Sequence, residues 1–360
     1  MTSSPLAPLG GNAPSMLFAG ELISYSTGAG LVQGFRSLGW DVAEVSIHDA
    51  SITGEDRLLR AAGRLMSPFA VRAYNRAILK RAKLLQPDVM LTVKGLNILP
   101  ETLYALRQQG TRVVNFYPDY KFEHTGFNER WLAHYDLVGT TKSFQVDYLA
   151  RMIGAERVAL VHHGYVPDLH RRRTPAGKEP HYLRDVTYIG NASPNKLAWL
   201  NRVVSALPNL SMIVVGRNWH KIAAGTPVEP FVFGHFLAGD QFARLIEHSR
   251  INLAVHHGSS GSAQGWEDKV STRTFEIPAC GGFMLHVDND DLRSLYEPET
   301  EVGVFEDGDD LIEKIRHYLA NPEQRCEIAN RGHARAVPAY SLSSRAAELV
   351  ELFRARLQLA

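Results

Sequence analysis

Two cysteines, Cys280 and Cys326, are all that 360 residues contain. That excludes a disulfide framework and a cysteine-rich zinc site, and it fits a chain that works in a reducing cytoplasm. No apolar run approaches the roughly 20 residues that a membrane-crossing helix needs. Any membrane contact would therefore be peripheral, at the inner face. An excess of one charge is also missing: 39 Lys and Arg stand against 38 Asp and Glu, for a net charge of +1. A nucleic-acid binder usually carries a clear basic excess, so nucleic acid is not an expected partner. The opening stretch MTSSPLAPLGGNAPSMLF has neither the basic start nor the continuous apolar core of a signal peptide. It reads as a loose tail before a first strand near Met16.

What the sequence does have is a repeated alternation. The length points to two domains, and a hydrophobic fraction of 45% is enough for sizeable cores. Short apolar runs at 15–19, 41–47, 88–93, 112–116, 137–139 and 157–161 read as strands of a first domain, with a helix at 28–38. A polar, basic stretch with two prolines, 168–183, reads as a linker. A second series follows, with strands at 185–189, 211–215, 228–233, 251–255, 282–286 and 302–305. Helices are expected at 196–207, 240–249, 271–279, 290–295, 309–319 and 341–359. Strands alternating with helices indicate parallel sheets covered by helices. In such sheets ligands bind beyond the carboxyl ends of the strands. The expected division is 1–170, with helix 341–360 packing back on it, and 171–340.

The block STRTFEIPACGG at 271–282 leads into FMLHVDNDDLRSLYEPETEVGVFEDGDDLIEKIRHYLANPEQRCEIANRG. It resembles the C-terminal half of group-1 glycosyltransferases, and most closely the CgeB-type glycosyltransferase-like proteins. LFAGEL, PDVMLTVKG, FYPDY and YDLVGTTKS in the first half fall in the same family's order, so the resemblance spans roughly residues 16 to 350. It implies the GT-B architecture: two Rossmann-like domains facing across a cleft, the second holding a nucleotide-diphosphate sugar. It also implies transfer of that sugar to an acceptor hydroxyl with no cofactor and no essential metal, in glycan or glycoconjugate biosynthesis. The acceptor is open: a sugar, a lipid-linked glycan or a small molecule. An epimerase on the same fold, or a non-catalytic sugar-nucleotide or glycan binder, are the alternatives.

Residue by residue, the resemblance places Glu276 on the donor ribose, where a carboxylate can accept from two adjacent hydroxyls. Asp268, eight positions earlier, stands where the family often has a longer acid. Lys196 matches a diphosphate-clamping lysine, while Asn191 replaces the arginine expected five residues before it. Gly190 permits close backbone approach, and Arg217 is a candidate for the missing positive charge. Phe233 and Gly234 fall where relatives hold the base. Thr272 and Arg273, in the first turn of the helix that carries Glu276, complete the donor set with His257. Asp119 in YPDY matches an acid at the cleft and is the first candidate for general base; His124 competes because its ordinary pKa lies nearer neutrality.

Other features are read from the residues themselves. GAGLVQG offers Gly28 and Gly30 for close approach of a ligand to the backbone, although its spacing misses the dinucleotide fingerprint by one. His256 and His257 should point to opposite sides if their strand continues. Asp288, Asn289 and Asp290 look like a metal-binding DxD but precede a helix, where Asp commonly caps. Between Arg57 and Lys83 lie eight basic residues and no acidic one, with apolar residues interspersed. Pro68 should split that stretch into two helices. It is a candidate for docking on anionic lipid; the plainer reading is a solvated helix face.

Overall fold

The structure, a computed structural model, describes residues 13–50, 57–175, 180–234, 236–259 and 262–359, with only the backbone described at 49, 50 and 57–67. The opening tail through residue 12, the middle of the linker stretch, and Ser260 and Gly261 of the Gly/Ser-rich loop lie outside the described residues.

The first sheet contains β1 (Ser15–Gly20), β2 (Asp41–Ser46), β3 (Val89–Val93), β4 (Arg112–Tyr117), β5 (Leu137–Thr140) and β6 (Val158–Leu160). All pair in parallel, in the order β2-β1-β3-β4-β5-β6. Its helices are α1 (Thr27–Ser37), α2 (Arg57–Leu85), α3 (Pro100–Gln108) and α4 (Ser143–Ile153). The second sheet contains β7 (Arg184–Ile189), β8 (Met212–Val215), β9 (Ser249–Ala254), β10 (Met284–Val287) and β11 (Gly303–Phe305), also parallel, in the order β11-β10-β9-β7-β8. Around it lie α5 (Pro194–Ala206), α6 (Trp219–Ile222), α7 (Gly239–Glu247), α8 (Thr272–Ala279), α9 (Asp290–Leu295), α10 (Gly308–Ala320) and α11 (Pro322–Ala336). The last helix is α12 (Leu342–Leu357).

The two sheets share one winding. In each, the first two strands swap places and the third pairs with the first, so chain direction across the sheet reverses between β1 and β3 and again between β7 and β9. Ligand crevices open beyond the strand ends at such reversals. Helix α12 returns to the first domain, where Leu342, Ala346, Leu349 and Phe353 join its core. Its packing partner is α1. A Cβ at Gly30 would stand 2.3 Å from Leu342 Cδ1, and one at Gly34 2.9 Å from Ala346 Cβ. The glycines of GAGLVQG thus let two helices approach closely. Gly30 faces α12 rather than a ligand; Gly28 is pressed against the Glu21 carbonyl and Phe18.

Two expectations need correction. Residues 228–233 form no strand: a 3-10 turn covers Glu229–Phe231, and only Val232 bridges to Val214. The run is apolar, but Pro230 has no N–H to give to a ladder. Helix α2 is not split at Pro68, which lies inside it. Pro68 is exposed, so water can reach the carbonyl that proline leaves unpaired.

Candidate functional site

At the reversal of the second sheet, the loop after β7 carries Gly190 and Asn191 and enters α5 through Ser193, whose hydroxyl caps the helix, and Pro194 in the first turn. This start fixes Lys196 two residues into the helix. The side chain is buried, and its Nζ lies 3.1 Å from the Asn191 carbonyl and 3.0 Å from His257 Nε2. Burial brings the Lys196 pKa down to about 8. His257 is pushed down to about 4 by burial and by Lys196, so its ring is neutral at pH 7 and Nε2 accepts from the ammonium. Tyr120 of the first domain stacks on the His257 ring at 4.9 Å.

Helix α8 supplies the next groups. Ser271 and Thr274 form a capping box. The Thr274 hydroxyl also meets buried His286 at 3.0 Å, and His286 meets His256 at 2.9 Å. His256 therefore packs inward while His257 faces the cleft, as alternation along a strand requires. One turn apart, Arg273 and Glu276 form an ion pair. Arg273 Nε donates to the Ile189 carbonyl at 2.8 Å, and its guanidinium lies 4.6 Å from the Phe242 ring centre. Burial raises the Glu276 pKa, but Arg273 and His170 outweigh it and hold the carboxyl below its ordinary value. His170 Nδ1 accepts from the Val166 N–H at 3.1 Å, which leaves Nε2 to carry the proton, 3.8 Å from Glu276. His170 belongs to the stretch read as linker, yet it is 5% exposed. That segment begins as part of the site.

Asp268 is bound across the domains. Lys142, in the residue that caps α4, is 2% exposed and donates to Asp268 Oδ1 and to the Val270 carbonyl, each at 2.6 Å. The same loop plants Trp266 against Phe122, Phe144 and Tyr148 of the first domain at 5.1–5.7 Å.

On the first-domain side, Asp119 Oδ2 lies 2.7 Å from Lys94 Nζ and 2.8 Å from His124 Nε2. Burial pushes the Asp119 pKa up, but His124 and Lys94 prevail and hold it well below the usual carboxylate range. Lys94 follows β3 with φ +66, a left-handed backbone rare outside glycine, and such strain gathers where a side chain must be aimed. His163, 5% exposed, has its Nε2 3.1 Å from the Thr141 hydroxyl, which donates its single proton to the Pro118 carbonyl at 3.0 Å. Nε2 must then donate to Thr141, and Nδ1 is left as an acceptor with no partner among the described residues.

These groups line two adjoining cavities of about 500 and 520 Å³, which share Lys94, Asp119, His163, Phe236, Thr272 and Arg273. Gly28, His170 and Glu276 face the first. His124, Lys142, Gly190, Asn191, Lys196, His257 and Asp268 face the second. Three expected donor residues are absent from both linings. Arg217 is exposed, its guanidinium over Phe236 at 5.8 Å. Phe233 is 59% exposed, held by its backbone N–H to Val214, and Gly234 follows it outward at φ +60. Phe236 and Leu237, a little further along the same loop, line both cavities. The DND triplet is spent on local structure: Asp288 pairs with Arg293, and Asn289 caps α9. No group of three or more His, Cys, Asp or Glu is placed to hold a metal among the described residues.

The Glycosyl transferase-like family model matches residues 196–351. The chain superposes on a sucrose-phosphate synthase from Thermosynechococcus elongatus with a TM-score of 0.68 at 14% identity, covering 96% of this chain and 100% of that one. Anabaena Alr3699/HepE in complex with UDP and glucose gives 0.63 at 13% identity, over 95% and 100%. A UDP-N-acetylglucosamine 2-epimerase gives 0.53 at 14% identity, over 96% and 97%. The fold is GT-B. No curated protein sequence matches the chain.

The GT-B cleft contains several groups that sequence reasoning passed over: Lys94, Lys142, His163 and His170. Lys94 and His163 do follow strand ends, β3 and β6, which was the available signal. Nothing local marks Lys142 or His170, whose partners stand 126 and 106 positions away.

Proposed function

We propose that the chain transfers a sugar from a nucleotide diphosphate to an acceptor hydroxyl, as a CgeB-type glycosyltransferase. The observation that carries this reading is the convergence of Lys196, Arg273 and buried Glu276 at the reversal of the second sheet, across from Asp119 and His124. Lys196 and Arg273 neutralise the diphosphate as its charge grows in the transition state, preorganised in a site away from bulk water. Arg273 thereby takes the role that Asn191 cannot fill. Glu276 accepts from the ribose hydroxyls, its carboxylate kept ionised by Arg273. Asp268, neutralised by Lys142, contacts the transferred sugar. Asp119 is too acidic to be an effective base near neutrality; it orients His124, which takes the acceptor proton. With two cations on the diphosphate, transfer proceeds without an essential metal.

Support comes from the family model and from the nucleotide-sugar chemistry of the structural neighbours. The test is a thermal-shift screen against UDP, GDP, ADP, CDP and dTDP, with and without EDTA. One nucleotide should raise the melting temperature selectively, and EDTA should leave that shift unchanged. No shift with any of them at millimolar concentration would favour a non-catalytic descendant. Glu276→Gln should weaken the responding nucleotide by roughly ten- to hundredfold, the value of a charge-assisted hydrogen bond. The epimerase among the neighbours motivates a second reading. Incubating the nucleotide sugar alone decides it: an epimerised product without acceptor would replace transfer.

A further inference from the structure

Helix α2 buries Tyr74, Ile78 and Ala82 in the first domain's core. Among the described residues, its opposite face has no partner. Arg72, Arg76, Lys80 and Lys83 recur there at three- and four-residue spacing and are all exposed. Such spacing aligns side chains along one helix face. None of the four is in an ion pair or side-chain hydrogen bond among the described residues. Phe69 and Leu84 lie along the same stripe, 61% and 70% exposed. A basic stripe with an exposed apolar side chain near each end has the composition of a surface helix that lies on a charged membrane.

We infer that this face of α2 docks on a membrane surface of anionic lipid. The cations match the negative surface potential, and Phe69 and Leu84 enter the boundary between headgroups and acyl chains. A nucleic acid would be met by the charges but would have no use for an aliphatic leucine beside them. The placement suits the cleft. Helix α2 also packs against the short turn Ile47–Ala50, whose Ile47 and His48 line the first cavity, so the proposed docking helix and that cavity belong to the same domain. No helix among the described residues is long and apolar enough to cross the membrane, so the contact is peripheral. This inference goes beyond the transferase reading and does not depend on it.

The test is co-sedimentation of the full chain with vesicles of phosphatidylcholine alone and of phosphatidylcholine mixed with phosphatidylglycerol. The chain should partition to the mixed vesicles only, and added salt should release it. The variant R72Q/R76Q/K80Q/K83Q should bind on the order of several hundredfold more weakly, since each Lys or Arg near such a surface contributes about fivefold. F69A/L84A should lose several-fold while keeping its salt dependence. Both sets are exposed, so melting temperature and nucleotide-induced shift should match the parent chain, which separates this result from the fate of the donor site. Equal partition to neutral vesicles would overturn the inference. So would parental binding by the fourfold variant, or retention on single-stranded nucleic acid with no vesicle binding.

Discussion

Two lysine–aspartate pairs face the same cleft and differ in nearly everything else. Lys94 and Asp119 stand at the ends of neighbouring strands of one domain, about a third exposed, with His124 as a third partner. Lys142 and Asp268 come from different domains and are 2% and 7% exposed. An open pair costs little to make or break, so its geometry can serve a reaction. A buried pair carries a large desolvation penalty and is strongly destabilising when only one partner is removed. The first pair is thus the one that the proposed transfer would use to aim a base. The second joins the two halves of the chain through Lys142, Asp268 and the Val270 carbonyl.

The largest effect expected is on the open pair's chemistry. Asp119→Asn and His124→Gln should each lower kcat by about 10²–10⁴, the range for a general base, with a smaller loss of stability than breaking the buried pair brings. The two effects should not add, because one group acts through the other. Additive losses would show that Asp119 and His124 act separately.

The buried pair should respond in the opposite way. Lys142→Met should cost about 3–5 kcal/mol of stability in denaturant unfolding, because Asp268 would be left charged and buried. Lys142→Met combined with Asp268→Asn should recover most of that loss without recovering transfer. If the single variant unfolds like the parent chain, the pair is not a fastening.

How much of this was legible in the sequence follows the same division. Parallel strands covered on both faces read as continuous apolar runs, so all eleven strands announce themselves within a residue or two of where they lie, β1 at 15–19 among them. The extra run at 228–233 failed because apolarity alone ignores Pro230. Glu276 and Lys196 were singled out by the resemblance, and both sit in the first turns of helices at the reversal of the second sheet. Asp119 and His124 were visible, but the acidity of Asp119 was not, since that depends on the loop folding back to bring His124 onto it and on Lys94 arriving from the end of β3. Lys142 is the extreme case: a lysine in TTKS becomes a site residue only through a carboxylate 126 positions away.

Lys196 sharpens the comparison by pH, because it is a buried cation without a carboxylate partner of its own. Its pKa lies at about 8, below the ordinary 10.5, so the folded chain sheds this proton before the unfolded one does. Its contribution to stability is unfavourable below pH 8 and improves as pH rises from about 8 to 10.5. Diphosphate binding needs the proton, so affinity should fall by roughly tenfold from pH 7 to pH 9 while this contribution to stability rises. Lys196→Met should flatten both trends relative to the parent chain. It should also weaken nucleoside diphosphates by roughly ten- to hundredfold at pH 7 and nucleosides hardly at all. Equal losses on both would remove Lys196 from the phosphates.

The smallest effect separates two arginines that sequence alone could not rank. Arg217 follows β8 on an exposed loop outside both cavities, whereas Arg273 lies in the lining of both, bound to the Ile189 carbonyl and to Glu276. Arg217→Ala should change nucleotide affinity by less than about twofold, as exposed substitutions generally do. Arg273→Ala should weaken it at least as much as the loss of Lys196, because it removes a phosphate cation and leaves Glu276 buried without its main partner. Isothermal titration of both variants with the nucleotide found in the screen distinguishes them. A large loss at Arg217 would mean that the loop after β8 folds inward over bound nucleotide, and the missing positive charge of the β7 loop would then be supplied from there rather than from α8.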